Sequence, residues 1–252
     1  MKLDPSPSTE AEPAARPAFY ALSPGGWRDY ATLLHPPYTL WHLSYVIWGA
    51  ALAGADHYDR LAATLVAFFL AVGVAAHALD ELQGRPLGTR ISPVVLVALA
   101  SLSLGGAVLI GVLGAVEVST WLLVFVTFGL FIALAYNLEW FGGLFHSDVW
   151  FAISWGSFPL LTAYFATAER LTIAAALGAA MAFTLSLAQR TLSGRVRGLR
   201  RRAISIEGKV YHSDGTAEDI DRRWATAPDE RALLLISGSI FVGGLAVLVA
   251  LR

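Results

Sequence analysis

The sequence predicts an all-α fold: a polytopic integral membrane helix bundle of about seven transmembrane helices. Three observations carry that expectation. The 252 residues are 56% hydrophobic and only 15% charged, a balance too apolar for an ordinary soluble domain. Seven stretches free of Asp, Glu, Lys and Arg are long enough to cross about 30 Å of hydrocarbon as helices. They are Pro36 to Ala55, Leu61 to Leu79, Ile91 to Val116, Val118 to Leu138, Val149 to Ala168, Leu171 to Gln189 and Ala232 to Leu251. Finally, 15 of the 18 Lys and Arg residues lie with the N-terminus or in the loops after the second and sixth stretches; only Arg60, Arg170 and Arg252 lie on the other side. By the positive-inside rule the N-terminus is cytoplasmic and the last stretch ends outside. The expected location is the cytoplasmic membrane of a prokaryote.

Residues 1–34 read as a disordered tail followed by an interfacial segment. Pro and small polar residues dominate as far as Tyr20 without apolar periodicity, and no apolar signal-peptide core precedes Pro17. Trp27 to Leu34 mixes Trp27, Tyr30 and Leu33 with Arg28 and Asp29, which suits the membrane interface.

Residues 35–190 hold the first six spans. The first opens at Pro36-Pro37, tolerated because the missing N–H has no intrahelical partner at a helix start. It passes from aromatic residues to Gly49, Ala50 and Ala53, and its His42 reads as a hydrogen-bonded structural histidine. Small residues four apart, such as Ala107 and Gly111 or Ala174 and Gly178, are a helix-packing signal. Ser147 and Asp148 read as an N-cap for the fifth span, and Pro159 inside it predicts a kink. Residues 191–231 form a basic cytoplasmic loop. The run from Gln189 to Arg202, QRTLSGRVRGLRRR, reads either as a topology-fixing contact with anionic lipid headgroups or as a phosphate clamp. Ala203 to Asp221 alternates apolar and polar residues into a short hairpin at Ser213-Asp214-Gly215. Residues 232–252 are the last span.

The chemistry concentrates at the cytoplasmic ends. Cysteine is absent, which excludes disulfides, thiolate catalysis and thiolate metal sites. In Ala75 to Ser92, AAHALDELQGRPLGTRIS, His77, Asp80 and Glu81 stand at i, i+3 and i+4 on one helix face, with Arg85 a turn further on. Ionisable groups at the edge of hydrocarbon mark a functional site unless they merely cap and snorkel. The second cytoplasmic loop carries Glu139, His146 and Asp148 and no Lys or Arg, so these groups face the same compartment as Asp80 and Glu81.

Together these residues resemble the UbiA superfamily of intramembrane prenyltransferases. Pro37-x-Thr39-Leu40 leading into an aromatic and then Gly/Ala-rich span looks like that family's first helix. Asp80 and Glu81, followed by Arg85-Pro86-Leu87, Thr89 and Ile91-Ser92, look like the end of its first Asp-rich motif and the segment after it. Tyr136-Asn137, Gly143 and the stretch from Gly156 to Leu161 look like its mid-chain Tyr-Ser segment and following helix. The resemblance covers roughly residues 35 to 165. It implies a transferase that joins an isoprenoid diphosphate to a lipophilic acceptor through a magnesium-diphosphate site. Asp80 and Glu81 are then catalytic residues and metal ligands, Glu139 and Asp148 are further ligands, and His77, Arg85, Tyr136, Asn137, Arg190 and Arg195 contact substrate. The second acidic motif of the family is replaced here by Gln189-Arg190 and the basic run, so Arg190 and Arg195 are expected to hold phosphate in place of a second magnesium.

Two other readings use the same residues. In one, His77, Asp80, Glu81, Glu139, His146 and Asp148 form a cage for iron, manganese or zinc acting on a membrane lipid. In the other, the chain is a non-enzymatic lipid- or quinone-binding subunit with a partner in a membrane complex. No nucleic-acid partner is expected.

Overall fold

The computed structural model describes residues 16–54 and 56–251. The tail through Ala15 lies outside the described residues. A short surface helix, α1 (Trp27–Leu33), precedes α2 (Pro36–Leu52), α3 (Tyr58–Leu82), α4 (Pro93–Glu117), α5 (Leu122–Asn137), α6 (Asp148–Ala168) and α7 (Ile173–Arg201). A two-stranded ribbon, β1 (Gly208–Tyr211) and β2 (Ala217–Ile220), then leads to α8 (Arg222–Ala250). Each of the seven apolar stretches is thus helical. Five helices, α3, α4, α6, α7 and α8, are long and apolar enough to cross a membrane, whereas α2 and α5 hold 17 and 16 residues. The outcome is a mostly helical bundle whose outer faces present Val94, Leu102 and Val116 almost fully exposed, as a lipid-facing surface would.

The helix starts follow from their sequences. Ser92 precedes Pro93, and its Oγ accepts from the Val95 N–H. Ser147 Oγ accepts from Trp150 N–H at 3.3 Å, and Asp221 Oδ1 from Trp224 N–H at 2.6 Å, each satisfying a donor the helix leaves orphaned. The ribbon is antiparallel with Gly208 opposite Ile220. Its turn is closed by Asp214, whose carboxylate accepts from the Thr216 N–H and hydroxyl; those bonds hold Asp214 below the usual carboxylate range.

The buried centre is α2, which packs against α8 and α6. Trp41 and Tyr45 are fully buried and joined by a Trp41 Nε1 to Tyr45 hydroxyl bond of 2.6 Å. Trp48 Nε1 donates to the Ile240 carbonyl of α8 at 2.9 Å. Close approach to α6 depends on Gly49, because a Cβ there would overlap the Leu160 carbonyl oxygen. Gly49→Ala is therefore expected to destabilise the bundle by about 1–3 kcal/mol, as overpacking does, read as a lower unfolding temperature in detergent. An unchanged temperature would mean that α2 and α6 are not so close.

Two helices widen into π-helix: α3 over Phe69–Ala76 and α6 over Ile153–Ser157. In α6 the cause is Pro159, which has no N–H to offer the carbonyl of Trp155 four residues earlier and whose ring would collide with it. That carbonyl instead accepts from His42 Nδ1 on α2 at 2.7 Å. The expected kink is thus a π-helical turn.

Candidate functional site

The widened turns of α3 and α6, the N-terminal half of α2, the last turns of α7 and residues 17–20 enclose a cavity of about 470 Å³. This volume is in the range of small-molecule sites. From α3 come His77 and Asp80, from α5 Tyr136 and Asn137, from the loop before α6 His146, and from α7 Gln189, Arg190, Arg197 and Arg201. His35, Tyr38 and His42 of α2 and its lead-in complete the wall, with Phe19 and Tyr20 across the mouth. Tyr20 stacks edge-on against Tyr38 and lies 5.4 Å from the His35 ring. Burial and the neighbouring Tyr38 raise the Tyr20 hydroxyl well above its ordinary pKa. Burial first, and then the His77 ring, whose centroid is 4.0 Å away, hold His35 well below the ordinary imidazole value, so it is neutral.

Of the residues singled out in the sequence, His77, Asp80, Tyr136, Asn137, Arg190 and His146 meet at this cavity. Glu81 does not. It is 1% exposed, and its carboxylate accepts from Leu87 N–H at 2.9 Å and from Thr89 N–H and hydroxyl at 2.8 Å. Arg85 folds the same loop by donating to the Thr89 and Ile91 carbonyls at 3.0 and 2.7 Å. Adjacent helical residues diverge by about 100°, so Asp80 looks into the cavity while Glu81 is turned into the loop. Glu139 is exposed in a left-handed turn, with φ of 51°. Asp148 lies at the rim, 2.7 Å from Arg190 Nε. Arg195 points away, to Asp229 at 2.8 Å. Asp80 is consequently the one carboxylate of the four proposed ligands that lines the cavity, and no group of three or more His, Asp or Glu among the described residues is placed to hold a metal by itself.

Two cavity arginines, Arg197 and Arg201, were not singled out from the sequence although a signal for them was there. Arg190, Arg197 and Arg201 are spaced i, i+7 and i+11 and so share one helix face, whereas Arg195 is turned about 140° from it. Gln189 lies one turn before Ser193 and two before Arg197 on a neighbouring stripe. Arg190 packs over the Phe151 ring at 5.2 Å. Arg197 donates to Ser193 Oγ at 3.0 Å and Arg201 to the Pro17 carbonyl at 3.2 Å. Among the described residues neither makes an ion pair.

The site is polar but unsatisfied. Gln189 Oε1, the Tyr136 hydroxyl and His35 Nε2 are buried without a hydrogen-bond partner, although buried polar atoms normally have one. All three residues line the cavity, and Arg190, Arg197 and Arg201 give it an excess of positive charge over Asp80 that can attract an anion.

A second compartment of about 530 Å³ lies between α3, α4, α5 and α6 and is mostly apolar. Val72 and Trp155, both from π-helical turns, line the two compartments in common. Phe158 and Phe125 stack along its wall with ring centroids 6.3 Å apart, and Phe165 stacks on Phe125 at 5.2 Å. A polar and an apolar chamber thus meet at one partition. No family model, curated protein or solved structure matches the chain.

Proposed function

We propose that the chain is a seven-span, UbiA-like membrane protein that binds an isoprenoid diphosphate with its head in the arginine-lined cavity and its tail in the apolar compartment, and transfers the prenyl group to a lipophilic acceptor. The observation that carries this reading is the shared wall of Val72 and Trp155 between a cationic chamber and an apolar one. α2 and α5 complete the seven spans, and the N-terminus with the cavity faces the cytoplasm. Arg197 and Arg201 carry charge-assisted hydrogen bonds to phosphate oxygens, and Arg190 joins them at the rim. Magnesium characteristically takes one or two carboxylates and fills its remaining positions from substrate phosphates and water. The lone carboxylate of Asp80 fits that pattern and would hold the ion, which supplies charge neutralisation of the departing diphosphate. Trp155, Phe151 and Tyr136 shield the reacting carbon from water and offer π faces to positive charge.

Photo-crosslinking tests the placement. A farnesyl diphosphate analogue with a diazirine at the tail end should label residues of the apolar compartment, such as Phe125 or Phe158. Label confined to outer positions such as Val94 and Leu102 would show that the tail stays in bulk lipid and would remove the two-chamber reading.

A further inference from the structure

Three histidines from separate parts of the chain share one device. His42 Nδ1 lies 2.7 Å from the Trp155 carbonyl, His77 Nδ1 3.1 Å from the Gly73 carbonyl and His146 Nδ1 3.1 Å from the Tyr136 carbonyl. A carbonyl oxygen only accepts, so in each case Nδ1 carries the proton. In the neutral ring Nε2 is then a bare acceptor, its tautomer fixed by the backbone. All three rings line the arginine cavity, and no protein donor meets their Nε2 atoms among the described residues. Gln189 Oε1, 2% exposed and unpartnered, adds a fourth acceptor on the same cavity.

A phosphate or diphosphate group supplies only acceptors at neutral pH. It answers the arginines and offers no donor to these acceptors, of which Gln189 Oε1 is buried without a partner and carries the penalty that attends such an atom. A metal ion is not the counterpart, because the rings are not grouped for one. A cationic donor is disfavoured by Arg197 and Arg201, which outnumber Asp80, the one carboxylate among the described residues in the same chamber. What remains is a neutral hydroxyl donor.

We infer that the cavity is built for a head that is both phosphorylated and hydroxylated: phosphate against Arg197 and Arg201, and hydroxyl groups donating to Nε2 of His42, His77 and His146 and to Gln189 Oε1. This rests on the proposed phosphate site and names a polyol phosphate, such as a glycerol phosphate head, as a ligand class that shares the chamber. Recognition by hydrogen bonds discriminates strongly, since an analogue lacking the hydroxyl leaves site acceptors unpaired.

The test uses two phosphomonoesters that differ in hydroxyl groups and not in the charged group. Glycerol 1-phosphate and methyl phosphate are titrated against the full-length protein in detergent by ligand-observed NMR. Glycerol phosphate should bind about tenfold or more tightly. His77→Leu and His146→Leu should each reduce that preference while leaving methyl phosphate unchanged. His77→Gln, whose Oε1 replaces the Nε2 acceptor, should keep most of it and guards against a folding defect in the leucine variant. Arg197→Gln should weaken both esters alike. Equal binding of the two esters by the parent protein, or a preference that survives in both leucine variants, overturns the inference while the phosphate site stands. Failure of both esters to bind overturns it together with the phosphate site.

Discussion

Replacing Arg197 and Arg201 together by Gln is expected to weaken farnesyl diphosphate binding about a hundredfold, because hydrogen bonds to a charged group contribute about 1.5–3 kcal/mol each. Both guanidinium groups stand on the cavity face of α7, and neither has a carboxylate partner among the described residues. Among the described residues Asp80 is the one carboxylate on the cavity wall with them, so the arginines leave an excess of positive charge for an incoming anion, and their removal should cost the free protein little. The single variants should each lose about tenfold. Arg195→Gln is the control: its partner is Asp229, outside the cavity, and binding should stay as in the parent. Isothermal titration in detergent reads all four proteins. A loss in Arg195→Gln equal to that in the double variant would mean that the basic run acts as a diffuse charge and not through the α7 face.

Glu81→Ala should instead unfold the protein more easily and leave the binding chemistry intact in what remains folded. The carboxylate is buried and receives the Leu87 and Thr89 amides and the Thr89 hydroxyl. Deleting it strands two backbone donors, at about 1–3 kcal/mol each, for a loss on the order of 3 kcal/mol. The loop it organises also receives Arg85, and Asp29 from α1 accepts the Arg90 amide at 3.0 Å, so the damage spreads to the start of α2. Asp80→Ala carries no such penalty, since no hydrogen bond or ion pair ties its side chain within the described residues. Thermal unfolding of the two variants in detergent separates the roles. Comparable stability for both would contradict the division between a structural Glu81 and a cavity-facing Asp80.

That division shows where the sequence was legible and where it was not. Helices in every apolar stretch, the Ser147 cap, the Pro159 distortion and the 208–220 hairpin follow from local rules, because periodicity, capping and proline chemistry act within a few residues. The Asp80–Glu81 pair was visible as a cluster, but adjacency in sequence hid the turn between the two side chains. Arg85-Pro86-Leu87 and Thr89, the most distinctive run in the chain, turns out to be occupied in folding its own loop. The cationic wall was legible in the i, i+7, i+11 spacing of α7, yet a run of six arginines between Arg190 and Arg202 masks which of them face inward. The π-helical turn at Phe69–Ala76 has no residue that announces it, and Phe19 and Tyr20 sit over the cavity by tertiary packing alone.

Phosphate binding in the cavity is tested most directly by comparing farnesyl diphosphate with farnesol on the unmodified protein. The two share a tail and differ only in the head. The diphosphate should bind at least tenfold more tightly at physiological salt, and the difference should shrink as salt screens the arginines. Equal affinity for the alcohol and the diphosphate would contradict the account and leave a cavity that reads lipid tails alone.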